Sequence, residues 1–380
     1  MLNSIQHLRK SKTHEILKQV QDDGIGFFAS SSDFASLIRN FKFRTSRGVA
    51  LIMVLWVIAI LSVIALEFAF AMRTEVMIAR HYKGEVQLYA YAEGGIHRAI
   101  AELIYKHDPA IQQMRKAEKV IEDPEKKEWI TDGRPYLLPY DQGTCEIRVM
   151  GEAGKVNVNT VSDPTLRKMI GQLGLEGEAR DVVVDSILDW RDPDDFYRIN
   201  GAESDYYQSL KEPYHSKNGN FDSIEELLLV RGVTPALFYG KKGTKNEEEG
   251  EGEKEGPIGL RDLFSLYSSG EQIDINSAAL PVLRVVLGLP TEVARSIVKA
   301  REEKGFSNQQ DLTLRVPEVG PFIGEAGKLI VYQSATPYYT IESKGKGKEG
   351  GSVQGIKAIV KIDPRERTGY KVVQWVDRLL

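Results

Sequence analysis

The sequence predicts an α+β protein: a long N-terminal helix that starts in a membrane, a small antiparallel sheet, and a large, mostly helical domain inserted into that sheet. Three observations predict it. Residues 49–66 carry no charge and open a helical pattern free of proline as far as His107. β-rich runs flank a long helical stretch on both sides, and that stretch repeats itself. At 380 residues, 42% hydrophobic and 27% charged, the chain has ordinary globular proportions and can hold about two or three domains.

The helix comes first. Eighteen uncharged residues approach the roughly 20 that span a bilayer, and Phe68, Ala69, Phe70 and Ala71 extend the run past Glu67. The exit, Met72-Arg73-Thr74-Glu75, lacks the small-residue signature of a cleaved secretory peptide, so residues 49–72 are expected to remain as an anchor. Arg39, Lys42, Arg44 and Arg47 precede the anchor, which places the N-terminus in the cytoplasm and the body outside it. Residues 1–48 hold eight Lys/Arg and four Asp/Glu; with a net charge of −4 overall, the remainder carries −8. An acidic body argues against nucleic acid and for divalent cations or protein partners. Val86, Tyr89, Ala90, Ile96, Ile100 and Leu103 continue the helical spacing, giving one helix of about fifty residues, half in lipid and half laid on a soluble domain. Gly94-Gly95 is the place where it could kink.

The repeat comes next. "VNVNTVSDPTLRKMIGQLGL" (156–175) matches "IDINSAALPVLRVVLGLP" (273–290), "ARDVVVDSILDWRD" (179–192) matches "ARSIVKAREEKG" (294–305), and "FDSIEELLLVRGV" (221–233) matches "FSNQQDLTLRVPEV" (306–319). The offset falls from 117 to 85 residues, so the first copy carries a net insertion of 32, within "DPDDFYRINGAESDYYQSLKEPYHSKNGN". Each copy reads as short helices joined by glycine turns, the first helix capped by Asn-Thr or Asn-Ser. These blocks resemble helix-hairpin-helix or SAM-like units, some of which grip DNA through hairpin amides. Here the second hairpin offers Gly288-Leu289-Pro290, whose proline has no N–H, and residues 273–330 hold seven Lys/Arg against seven Asp/Glu. A helical protein-interaction scaffold is the reading preferred over a membrane-anchored DNA-binding protein.

The insertion packs Asp189, Asp192, Asp194, Asp195, Asn200, Glu203 and Asp205 into seventeen residues, with Gly201 for a tight turn. So many like charges repel unless a counter-ion joins them. Ca²⁺ takes six to eight oxygens of this kind, although the EF-hand spacing is absent. A solvated loop with carboxylates as helix caps is the alternative, and Arg191 and Arg198 can neutralise part of the charge. The flanking aromatics Phe196, Tyr197, Tyr206 and Tyr207 favour an ordered loop and hence calcium.

Around the helical block lie the strands. In "TCEIRVMGEAGKVNVN" Cys145, Ile147 and Val149 alternate with polar residues, and "PYYTIESKG", "SVQGIKAIVKID" and "GYKVVQWVDRLL" follow the block. The expected organisation is a leader (1–48), the membrane segment (49–72), helix and first strands (73–155), the inserted helical domain (156–335) with its acidic loop (189–220) and a flexible Gly/Glu tract (241–257), and C-terminal strands (336–380). Nothing points to an enzyme. The six histidines form no H-E-x-x-H pair, no G-x-S-x-G or phosphate loop occurs, and the lone Cys145 sits in an expected strand.

A basic residue, a glycine and then an apolar helix start, as in Arg47-Gly48-Val49-Ala50-Leu51-Ile52, resembles the processing site of type IV prepilins. The fifth position after the cut, usually glutamate, is Met53, as is typical of the K member among pseudopilins. "GKVNVNT", "DWRDPDD", "NGAESDYY", "NGNFDSIEELLLVRGV" and "DINSAALPVLRVVLGLP" extend the likeness over most of the chain. The sequence is therefore identified as a member of the minor pseudopilin K family of type II secretion. The resemblance implies a pilin-like domain with an inserted helical domain, and a bacterial inner-membrane location with a periplasmic body. It implies cleavage by a prepilin peptidase between Gly48 and Val49, with methylation of the new terminus. It also implies a filament-tip complex with the I and J pseudopilins and calcium on Asp192, Asp194, Asn200, Glu203 and Asp205, with Asp189 and Asp195 in reserve. The 48-residue leader is longer than is usual in the family, leaving either a start downstream of Met1 at a non-Met codon or a cytoplasmic extension.

Overall fold

The computed structural model describes residues 49–108, 110, 113, 128–240, 258–334, 336–348 and 352–377. The leader with Gly48 and the tract 241–257 lie outside them. The chain divides into two units, residues 1–78 and 79–380. In the first, residues 49–78 are a helix whose large apolar side chains are exposed throughout, with a mean hydropathy of 3.1 over its most apolar window; it is long and apolar enough to cross a bilayer.

That helix, α1 (Val49–His107), runs without interruption into the second unit. It does not kink at Gly94-Gly95. Gly95 serves close packing instead: a Cβ there would meet Ser343 Oγ at 2.3 Å and Cys145 Sγ at 2.5 Å. Beneath it lies an antiparallel sheet of β1 (Asp132–Tyr140), β2 (Gly143–Gly151), β7 (Tyr338–Gly347), β8 (Val353–Ile362) and β9 (Tyr370–Asp377), in the order β1-β2-β7-β8-β9. Alternation puts Cys145, Ile147 and Val149 of β2 and Ile356, Ala358 and Val360 of β8 against Ala92, Ile96 and Ala99 of α1. Pro135 and Pro139 obscure β1 in the sequence; at a sheet edge their missing N–H groups cost nothing.

Residues 152–337 leave from β2 and return at β7, whose pairing places Gly151 opposite Tyr339. The buried Glu152 ties the two exits together, accepting hydrogen bonds from Thr340 Oγ1 (2.7 Å) and Lys155 Nζ (3.0 Å). The first copy comprises β3 (Val156–Asn157), α2 (Asp163–Gln172), α3 (Gly177–Arg191) and α4 (Ser204–Gln208). After β4 (Phe264–Ser265), the second comprises β5 (Ile273–Asp274), α5 (Leu280–Val285), α6 (Thr291–Ala300) and α7 (Gln309–Arg315), closing with β6 (Ile330–Val331). β3 pairs in parallel with β4, and β5 with β6. One hydrophobic core runs through both copies.

The repeat holds at the level of single hydrogen bonds. Asn159 clamps the backbone of Phe221 through its Oδ1 (2.7 Å from the Phe221 N–H) and its Nδ2 (3.1 Å to the carbonyl). Asn276 does the same to Phe306, at 2.6 and 2.9 Å. These asparagines are therefore not the helix caps expected of them; α2 and α5 begin at Asp163 and Leu280, each entered without a side-chain cap. Arg191 donates to the Val158 and Val161 carbonyls (2.7 and 2.6 Å), and Arg301 to those of Ile275 and Ala278 (both 2.8 Å).

Arg301 also anchors the insertion to the sheet. Its Nη2 lies 2.8 Å from Asp132 Oδ2 of β1, and both side chains are buried. Burial alone would raise the Asp132 carboxyl, but the hydrogen bonds from Arg134 and the charges of Arg301 and Arg134 outweigh it and hold the pKa at about 2. Arg301→Ala should cost about 1.5–3 kcal/mol, the worth of a hydrogen bond to a charged group, because Arg134 still holds the Asp132 carboxylate. A carboxyl depressed on folding stabilises above its unfolded pKa. Wild-type unfolding free energy should therefore drop as pH falls from about 4 to about 2. Urea melts across that range should show a smaller drop in the variant.

Candidate metal centre

The acidic centre grows from the C-terminal end of α3. Asp181, Asp185 and Asp189 recur at every fourth residue and so share one face. Arg167 of α2 answers the first two, at 2.7 and 2.5 Å. Asp189, 0% exposed, lies one turn on and beyond its reach; Arg198 Nη1 meets it at 2.6 Å and Asp192 Oδ2 at 2.5 Å. The segment 192–203 is without helix or strand and folds back over α3. Gly201 permits the return, since a Cβ there would stand 1.7 Å from Asp189 Oδ2.

Glu203, 1% exposed, enters from the residue before α4. Its Oε2 lies 3.3 Å from Ser216 Oγ, whose single hydroxyl proton it shares with the nearer Asn218 Oδ1 (2.5 Å). Asn218 adopts the left-handed φ of 46° and donates its Nδ2 to Asp195 Oδ1 (2.8 Å). Burial first, then the charges of Asp189, Asp192 and Asp195, push Glu203 up to about 7. Burial likewise raises Asp189, against the pull of Arg198. Behind them stand Trp190, Tyr207, Tyr214 and Phe221 in mutual ring contact.

The structure thus gathers Asp192 and Glu203 with the reserve candidates Asp189 and Asp195. Asn200 turns away, giving its amide and its backbone N–H to Asp185 (3.3 and 3.1 Å). Asp194 and Asp205 are exposed and bond locally, to the N–H of Phe196 (3.0 Å) and of Tyr206 (2.8 Å). Arg191 gives its hydrogen bonds to backbone carbonyls and shares in neutralising the loop only at a distance, through the charge of Asp192, whereas Arg198 bridges Asp189 and Asp192 directly. Of the flanking aromatics only Tyr207 is buried; Phe196 is 82% exposed. Ser216, Asn218 and Asp185 were missed by sequence reasoning, although the turn-forming Asn218-Gly219 was a signal for the second strut of the loop.

Among the described residues no three carboxylates already close on a metal position. Asp192 Oδ1 and Glu203 Oε1 are nevertheless buried without a hydrogen-bond partner among them. One guanidinium meets two of these carboxyls, Asp189 and Asp192, and the two partnerless oxygens are left in the buried part of the cluster. That donor set suits a hard, oxygen-seeking cation.

The same segment carries the likeness to known proteins. The family model for protein K of the type II secretion system matches residues 149–239, and a helix-hairpin-helix motif matches residues 268–325. Type II secretion system protein K of Pseudomonas aeruginosa is 23% identical over 311 residues, 79% of this chain and 85% of that one. The protein of the same name from Aeromonas hydrophila is 23% identical over 300 residues, 72% and 81% of the two chains. The fold resembles a chain in the crystal structure of the GspK-GspI-GspJ complex from enterotoxigenic Escherichia coli, with a TM-score of 0.52 and 16% identity, covering 80% of this chain and 99% of that one. The shared fold is one apolar helix and a sheet with a helical insertion. The chain is similar to type II secretion system protein K over most of its length.

Without metal, Glu203 should set a pH dependence. A carboxyl raised on folding favours the folded state while protonated, and that contribution is lost as pH rises from about 4.5 to about 7. In chelator, thermal melts at pH 5 and pH 8 should show Glu203→Gln close to wild type at the lower pH and more stable than wild type at the higher.

Proposed function

We propose that this chain is a minor pseudopilin acting as a structural tip or initiation subunit of the type II secretion pseudopilus, assembled with the I- and J-type pseudopilins. The observation that carries the reading is the coincidence of the protein K match with the insertion that holds the acidic centre. α1 anchors the subunit in the inner membrane, with the basic leader cytoplasmic and the body periplasmic. A prepilin peptidase cuts between Gly48 and Val49, and Val49 is methylated. Met53 fits a terminal subunit: a buried glutamate at that position is costly without a neighbour's amino terminus to pair with. The role is scaffolding rather than catalytic.

Calcium completes the acidic centre in this reading. Asp189, Asp192, Asp195 and Glu203 lie near enough for the charges of the first three to act on Glu203; the ion draws them together, and the loop shifts to supply Asp194, Asn200 and Asp205. The ion would neutralise the carboxylates and fix the loop, with no chemistry of its own. The partnerless oxygens of Asp192 and Glu203 support this.

Co-expression with the I and J pseudopilins of the same system should yield a stoichiometric complex through affinity purification and gel filtration. A chain that ignores both partners and binds duplex DNA with a steep salt dependence would favour the helix-hairpin-helix alternative. Chelating calcium should lower the melting temperature by several degrees, since a ligand at about 100 times its Kd stabilises by about 2.7 kcal/mol. Glu203→Gln should lose most of that response.

A further inference from the structure

Arg198 stands where a metal ion would be most effective, yet it is poorly fixed there. A single nitrogen, Nη1, is shared between Asp189 Oδ1 (2.6 Å) and Asp192 Oδ2 (2.5 Å), so the paired geometry that makes an arginine–carboxylate contact strong is not used. The side chain is 39% exposed, whereas that of Asp189 is 0% exposed. The cation can return to water cheaply; the anion cannot. Arg191 makes the contrast, with Nη1 and Nη2 each seated on a carbonyl. The backbone around Arg198 is held, by the Arg198 N–H on Asp189 Oδ2 (3.3 Å), the Gly201 N–H on the Arg198 carbonyl (3.0 Å) and Asn200 on Asp185, but its apolar side chains are loose: Ile199 is 99% exposed and Phe196 nearly as much.

We propose that Arg198 is a displaceable internal counter-ion, which holds the acidic centre together when metal is absent and is expelled into solvent when Ca²⁺ enters. The inference rests on the calcium reading above and adds its regulation. A dication among Asp189, Asp192, Asp195 and Glu203 cannot share Asp189 and Asp192 with a guanidinium a few ångströms away without strong like-charge repulsion. The partnerless oxygens of Asp192 and Glu203 mark the demand that one guanidinium leaves unmet. Expulsion breaks only the two contacts of the guanidinium and leaves the backbone bond of Asn200 to Asp185 in place. Ion occupancy therefore sets where the Arg198 guanidinium lies. Arg198 also lowers apparent calcium affinity, because metal must compete with a tethered cation, and it keeps the metal-free protein folded.

Calorimetric titration of CaCl₂ into the full chain in detergent, after chelator treatment, tests this, with thermal melts alongside. Arg198→Ala should bind Ca²⁺ about tenfold more tightly than wild type, the size expected for losing two half-exposed ion pairs. Its metal-free melting temperature should fall below that of wild type, and calcium should close the gap. Arg198→Gln keeps a polar donor without the charge, so it should show the same gain in affinity with a smaller loss of metal-free stability. Wild type that binds Ca²⁺ while both variants bind equally or more weakly would overturn the competition. If neither wild type nor variants bind Ca²⁺, the calcium reading itself fails, and this inference with it.

Discussion

The buried carboxylate of Glu152 is the contact on which the soluble unit depends. It sits where the chain leaves β2, and it is bonded to Thr340 on the strand where the chain returns. Cys145 and Ser343 show what that closure achieves: their side chains are 3.1 Å apart although 198 residues separate them. Closing so long a loop costs only slightly more than closing a short one, about 0.6 kcal/mol for each doubling. The cost is tolerable because the intervening residues form their own core and bring their ends together. Arg301 then joins that core to β1 through Asp132. A sheet of modest size thus carries a large helical domain without a mobile linker between them.

Duplication explains where the acidic centre lies in the inserted domain. Both copies use the same internal devices: an asparagine clamping a phenylalanine backbone, and an arginine closing over two carbonyls. In the second copy that arginine, Arg301, also reaches the sheet, so this copy serves as the base. The first copy lacks that duty and carries the long insertion after α3. Its acids extend a helix face whose earlier members are satisfied by Arg167. Where that supply ends, at Asp189, the excess of carboxylates begins, and Gly201 lets the returning chain close over it. The centre is a consequence of helical periodicity running past its last fixed counter-ion.

Much of this was legible in the sequence because it depends on local patterns. Alternation at Cys145, Ile147 and Val149 marked β2, and the uncharged run from Val49 marked the anchor. The repeat located the insertion and its acids. The remainder turned on contacts between residues far apart in the chain. That Asn159 and Asn276 clamp Phe221 and Phe306, rather than cap helices, needs a partner dozens of residues away. β1 was hidden by two prolines that only an edge position excuses. Gly94-Gly95 read as a kink because a glycine used for close approach looks the same in sequence. Arg191 and Arg198 are seven residues apart and equally charged; only the fold decides that one holds carbonyls and the other holds acids.

The central claim is that α1 begins as a processed pseudopilin terminus, and it is tested most directly at Val49. The chain would be expressed in membranes with and without a prepilin peptidase, and its amino terminus determined by mass spectrometry. A methylated Val49 terminus appearing only with the peptidase is the predicted result. An unprocessed terminus in both membranes would contradict it, leaving α1 as a plain anchor outside any pilus-like assembly.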